Sequence, residues 1–259
     1  MLILLTNDDG IRAPGLLAAL RVLRRLGEVQ VVAPETVQSA AGHGITINGP
    51  LRTYPVPVDD ETTGTSVEGR PADCVKLAIQ KILPQKPDLV VSGINSGANV
   101  GINVIYSGTV AAAIEAAFLG VPAIALSLLM NRGVPDYEHA AEIFFESIQK
   151  IISNGLITGC VMNVNVPALR APDRPKGVRV VPQCVRPWSD QYDKRLDPRG
   201  NPYYWNTATF DLHKDDQHTD VAALRDGFVT ITPLMFDLTD SKMLNDSRVK
   251  SLNDELTGK

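Results

Sequence analysis

Hydrophobic and polar positions along this chain follow two alternating rhythms. Leu2-Ile3-Leu4-Leu5-Thr6 is a short apolar run ending at turn-type residues, as expected of a strand buried on both faces. From Gly15 to Leu26 the period changes. Leu16, Leu20 and Leu23 recur at helical spacing, arginines occupy other positions, and Gly27 stops the run. Val29–Ala33 reads as the next strand, so the opening segment is β-α-β, a parallel pair with a right-handed crossover. The alternation continues with a helix over 71–83, a strand over 88–92, and an alanine-rich helix over 109–119 capped by Ser107. A strand over 122–128, a helix over 136–153 and a strand over 161–166 follow. The pattern predicts an α/β fold: a three-layer, Rossmann-like, doubly wound and mostly parallel sheet.

The rhythm breaks after Pro167. Residues 170–220 are richer in Pro, Asp, Arg and aromatics, among them Trp188, Tyr192 and Tyr203-Tyr204-Trp205. A late alternating strand is expected over 227–232, and the polar tail from Asp237, with its scattered leucines, reads as a terminal helix. The expected organisation is a Rossmann-like core over 1–169 and a smaller C-terminal extension over 170–259 that completes it.

Composition narrows the field. The chain has 259 residues, 44% hydrophobic and 21% charged, enough for one α/β domain of the larger kind. No apolar run reaches the ~18–20 residues of a membrane span. Met1 to Asp9 carries no basic leader, so neither a membrane protein nor a signal peptide is expected. Cys74, Cys160 and Cys184 are widely spaced and form neither a disulfide framework nor a metal-type pair, which favours a cytoplasmic setting. With 25 Lys and Arg against 29 Asp and Glu, the formal charge is −4, which argues against a nucleic-acid polymer or an anionic membrane as partner.

Four segments carry candidate chemistry. Thr6-Asn7-Asp8-Asp9-Gly10 follows the first strand, where ligands of open α/β sheets bind. Adjacent strand side chains point apart, so Asp8 and Asp9 converge only where the chain turns, and Gly10 makes the turn easy. Two crowded carboxylates repel unless a cation lies between them, which suggests a divalent metal. The alternative is a helix cap or an Asx-turn. The second segment, Val91 to Gly101, holds Asn95 and Asn99 among glycines; it reads as a phosphate nest or as a long surface loop. In the third, Ser107-Gly108-Thr109 begins the alanine-rich helix and offers an oxyanion site or simply tight packing. In the fourth, the loop after the second strand, Ser39 offers a hydroxyl to a cation, while His43 either donates to a phosphate or is solvated.

Familiar alternatives are missing. The first strand is not followed by G-x-G-x-x-G, and no G-x-x-x-x-G-K-[ST] or H-E-x-x-H occurs. In Gly93-Ile94-Asn95-Ser96-Gly97 the serine is one place from a nucleophile elbow.

Taken together, these segments resemble the SurE family of stationary-phase survival proteins, metal-dependent nucleoside-monophosphate phosphatases. The match rests on Ile3 to Gly10, Val31-Val-Ala-Pro34 with Gln38-Ser39, Gly69-Arg-Pro-Ala-Asp-Cys-Val75, Pro87 to Gly97 and Tyr106 to Ala113. It extends through Asn163-Val-Asn-Val-Pro167, Asp197 to Asn201, Asp220 and Gly227 to Leu234. The resemblance implies a Mg²⁺ or Mn²⁺ held by Asp8, Asp9, Ser39 and Asn95, an all-oxygen set suited to a hard cation. It implies catalysis through Asp8, Asp9 and Asn95, with Asn99, Ser107, Gly108 and Thr109 on the phosphate. The implied substrates are nucleoside 5′-monophosphates, with 3′-monophosphates and short polyphosphate beside them. A homodimer or homotetramer is also implied, in which the C-terminal extension is exchanged between subunits. One departure is Ala40, where the family often has glycine, because alanine disfavours a left-handed turn. The competing reading is a non-catalytic nucleotide- or phosphate-binding oligomeric module.

Overall fold

The computed structural model describes residues 1–131, 133–186, 192–207 and 218–257; Trp188 lies outside them. Nine strands form one sheet. In chain order they are β1 (Leu2–Thr6), β2 (Glu28–Pro34), β3 (Thr53–Pro57), β4 (Thr63–Val67), β5 (Leu89–Ser96), β6 (Ala123–Leu128), β7 (Val161–Val166), β8 (Val178–Val180) and β11 (Val229–Leu234). Their spatial order is β3-β4-β2-β1-β5-β6-β7-β11-β8. The six strands from β4 to β7 are mutually parallel, while β3 and β11 run antiparallel to their neighbours β4 and β7. The expected doubly wound, mostly parallel sheet is therefore present. Its direction of winding reverses between β1 and β5, the place where such sheets open a crevice for ligand.

Helices cover both faces. On one side lie α1 (Pro14–Leu23) and α4 (Tyr137–Ser153); on the other lie α2 (Pro71–Leu77) and α3 (Gly108–Phe118). The central strands bury both faces, and their side chains alternate between two cores. Ile3, Leu5, Ile124 and Leu126 join the α1/α4 core, whereas Leu4, Ala123 and Ala125 join the α2/α3 core. Each fully buried Leu or Ile contributes about 1.5–3 kcal/mol. The α3 side is built from small residues. Ala112, Ala113, Ala116 and Ala117 of α3 share their core with Ala123 and Ala125 of β6, so this helix approaches the sheet closely.

The C-terminal extension divides in two. Strands β8 and β11 and the short helix α5 (Asp220–Arg225) complete the sheet edge. Strands β9 (Tyr192–Leu196) and β10 (Pro202–Asn206) instead form a separate two-stranded ribbon, exposed along its whole length. Beyond it, α6 (Ser241–Leu244) and α7 (Ser247–Thr257) realise the expected terminal helix in two pieces. Among the described residues, no helix is long and apolar enough to cross a membrane.

Candidate active site

The C-terminal ends of β1, β2 and β5 and the start of α3 meet at the switch point. After Thr6 the chain turns through Gly10, whose φ is +96°. Neither aspartate caps α1, because the residue preceding that helix is Ala13, which makes no side-chain cap. Asp8 is buried and accepts a hydrogen bond from the Thr109 hydroxyl. Asp9 accepts one from the Ser96 N–H at 3.0 Å. The turn thus sends one carboxylate toward α3 and the other toward the end of β5.

Both groups resist ionisation. Burial pushes Asp8 up to about 6, with Asp9 adding to the effect and the Thr109 bonds opposing it. Burial also raises Asp9, against the Ser96 bond. Among the described residues neither carboxylate pairs with a Lys, Arg or His. Nor do three His, Cys, Asp or Glu side chains gather as a metal centre among those residues. A cation here would rest on two carboxylates and neutral oxygens. That donor set fits a hard divalent ion, which would also relieve the repulsion.

Asn95 and Ser39 are the residues expected to offer such oxygens. The Asn95 amide nitrogen donates to the Gly97 carbonyl at 2.7 Å. That bond fixes the side chain's orientation and leaves Oδ1 as the acceptor end. The Gln38 N–H donates to the Asp8 carbonyl at 2.8 Å, which ties the residue before Ser39 to the aspartate turn. Ala40 follows at φ +57°, so the left-handed turn is kept despite its Cβ, at about 1–2 kcal/mol.

The start of α3 touches the Asp8 carboxylate directly. Ser107 caps the helix, accepting from the Val110 N–H at 3.1 Å. A Cβ added at Gly108 would lie 2.8 Å from the Asp8 Cβ and 3.0 Å from its Oδ2, so only glycine permits this approach. Thr109, expected on the phosphate, has its hydroxyl on Asp8 and orients that carboxylate instead.

Two other expected residues face elsewhere. The Asn99 side chain donates to Ser127 Oγ at 2.8 Å, and its N–H donates to Asn165 Oδ1 at 2.8 Å. Its carbonyl accepts from Asn163 at 2.7 Å and Asn165 at 3.2 Å. Asn99 is thus the anchor of the 97–105 loop on a buried polar floor. His43 packs its ring on Phe118 and places Nε2 2.9 Å from the buried Glu115 carboxylate. Burial pushes Glu115 up, but His43 and Lys76 outweigh it and hold the group below its ordinary value. His43 therefore docks the Ser39 loop onto α3.

Two supports of the site were not singled out for it from the sequence. Asp220 accepts from the N–H groups of Gly101 and Cys184, each at 2.8 Å, and so ties the extension to the site loop. The polar floor was signalled by Asn163 and Asn165, which interrupt an otherwise buried apolar strand on one face.

Comparison with known proteins places the sequence and the fold. A family model described as survival protein SurE matches residues 3–190. The 5′-nucleotidase SurE of Christiangramia forsetii is 45% identical, over 98% of this chain and 98% of that protein. The 5′-nucleotidase SurE of Rhodopirellula baltica is 47% identical, over 96% and 98%. The crystal structure of the SurE protein from Aquifex aeolicus superposes with a TM-score of 0.86 at 38% identity, covering 98% of this chain and all of that one. Matching both in sequence across nearly its whole length and in backbone course, the chain belongs to the SurE family.

Proposed function

We propose that this protein is a divalent-cation-dependent phosphomonoesterase that hydrolyses nucleoside 5′-monophosphates to nucleoside and phosphate. Nucleoside 3′-monophosphates and short polyphosphate are proposed as lesser substrates of the same site. The observation that carries the reading is the uncompensated pair Asp8 and Asp9 beneath a helix start, at the crevice between β1 and β5. The names of the relatives point the same way.

Asp8, Asp9, Ser39 and Asn95 would hold the cation, Mg²⁺ or Mn²⁺. When bound, it supplies Lewis-acid polarisation of the phosphoryl group and a more acidic water. The remaining work belongs to the chain. One carboxylate of the pair accepts the proton of the attacking water, a role suited to a group made more basic by burial. Asn95 fixes the reacting groups. The N-terminus of α3, at Ser107 and Gly108, directs its partial positive charge at the developing phosphate charge. Thr109 acts through Asp8, and Asn99 acts by holding its loop.

The ribbon of β9 and β10 supports a homodimer or homotetramer. Tyr192, Tyr203, Tyr204 and Trp205 are exposed on it, and a lone hairpin is marginally stable in water. A cytoplasmic setting agrees with the three free cysteines.

The test is phosphate release from AMP and GMP with Mg²⁺ or Mn²⁺ and with excess EDTA. Activity is expected to vanish with EDTA and return with the metal, and Asp9→Asn is expected to abolish it while the protein still melts cooperatively. Equal rates with and without EDTA would sink the reading.

A further inference from the structure

The cleavage site accounts for the phosphate and leaves the rest of a nucleotide without a place. Two strands along from the aspartates, the C-terminal ends of β2 and β4 frame a pocket of about 340 Å³, lined by Glu35, Thr36, Gln38, Thr46, Glu68 and Arg70. It opens on the same edge of the sheet as Asp8 and Asp9. Two connections place it beside them. Gln38 in its wall donates its N–H to the Asp8 carbonyl at 2.8 Å. Pro71, next to Arg70, and Asp8 both lie against Gly108: a Cβ there would meet Pro71 Cγ at 3.2 Å and Asp8 Cβ at 2.8 Å.

The walls are held rigidly. Asp73, only 3% exposed, accepts from the Thr46 N–H at 2.9 Å, the Thr46 hydroxyl at 2.7 Å and the Arg70 N–H at 2.9 Å, locking the loop to the start of α2. The Glu35 N–H donates to the Val67 carbonyl at 2.9 Å, which ties the ends of β2 and β4. Glu68 is engaged by Arg52 at 3.1 Å and by the Tyr54 hydroxyl at 3.0 Å. The Arg70 guanidinium, by contrast, has no carboxylate partner among the described residues. It lies across the backbone of Gly44, where a Cβ would come within 1.8 Å of Nη1.

We infer that this pocket receives the base of the nucleotide and that Arg70 and Glu35 determine which base is preferred, a purine and guanine above all. The inference rests on the phosphomonoesterase reading for the phosphate end. A guanidinium fork matches the adjacent O6 and N7 acceptors of guanine, and a carboxylate accepts from its N1–H and N2–H₂. One cation with one carboxylate that is unpaired among the described residues suits a neutral ring with both donors and acceptors better than a second phosphate. The Gln38 amide adds a donor and an acceptor at the rim nearest Ser39. A pocket formed before binding limits the entropy lost when the base is ordered.

The test compares GMP with ribose 5-phosphate, which has the same kind of ester and no base. Wild type is expected to show a kcat/KM about tenfold or more higher on GMP, and Arg70→Ala to reduce that ratio about tenfold, mainly through KM. Arg70→Lys keeps the charge without the fork and should restore only part of it. Glu35→Gln should narrow the preference for GMP over UMP. Ratios within about twofold of wild type in Arg70→Ala and Glu35→Gln, or full restoration by Arg70→Lys, would overturn the assignment. If wild type cleaves neither ester, the phosphatase reading fails by itself, and calorimetric titration with the same two compounds decides. Tighter binding of GMP that Arg70→Ala removes supports the pocket, and equal binding of both overturns it.

Discussion

Asp8 ties chemistry to stability, because burial and Asp9 hold a proton on it up to about pH 6. Its value in the unfolded chain is the ordinary 3.8. The folded state therefore binds the proton more tightly, and the resulting stability is fully present below about pH 4 and lost as pH rises through about 6. A metal-stripped sample is expected to lose on the order of 2–3 kcal/mol from this group between pH 4 and 7. Asp8→Asn should lack that component, and Mg²⁺ should offset it in wild type. Urea titrations across this range check it; identical pH slopes for the two proteins would refute it. Gly108 shows how little room surrounds the same carboxylate. Its substitution by alanine puts a methyl 2.8 Å from the Asp8 Cβ. Overpacking of that kind costs about 1–3 kcal/mol. Gly108→Ala is expected to lower kcat more than tenfold in a protein that remains folded, as seen by steady-state kinetics beside a melting curve.

At the scale of elements, the site depends on a loop that has little structure of its own. Residues 35–46 carry Ser39, a proposed cation ligand, and are fastened at His43 to Glu115 on α3, with the His43 side chain 28% and the Glu115 side chain 6% exposed. Hydrogen bonds to a charged group contribute about 1.5–3 kcal/mol. His43→Ala is expected to lower stability by about that amount and to raise the Mg²⁺ concentration needed for half-maximal activity, read from metal titrations. Lys76→Ala, removing a 45% exposed partner 3.4 Å from Glu115, should do much less. What the sequence revealed follows from the physics of each element. β1, β6 and β7 are buried and largely apolar, and α3 carries its cap and alanines, so pattern alone located them within a residue or so. β3, containing Pro55 and largely exposed, has no such rhythm, and β9 and β10 have no inward face to produce one. The aspartates were legible because paired carboxylates after a buried strand are chemically conspicuous. The duties of Thr109, Asn99 and His43 were not, since they depend on partners 101, 66 and 72 positions away.

The whole molecule shows a well-packed sheet beside a ribbon and tail that bury almost nothing. Leu238, Leu244, Leu252 and Leu256 are all exposed on or near the terminal helices, and Trp205 is 57% exposed on the ribbon. Surfaces of this composition normally find a cover. Trp205→Ala combined with Tyr203→Ala is expected to shift the protein toward monomer in light-scattering chromatography at micromolar concentration. An unchanged mass would count against the ribbon as a subunit contact.

The Asp220 carboxylate has a further consequence, for biosynthesis. It joins the N–H of Gly101 to that of Cys184 from a position late in the chain, and β11 follows it into the sheet beside β7. Chains emerge from the ribosome amino end first and fold as they appear. The aspartate turn, the Ser39 loop and α3 all emerge before it, so the loop bearing Asn99 first rests on Ser127, Asn163 and Asn165 and gains its tie at Gly101 only once residue 220 has been made. A chain cut short before residue 220 should therefore be a poorer catalyst even with every proposed metal ligand present.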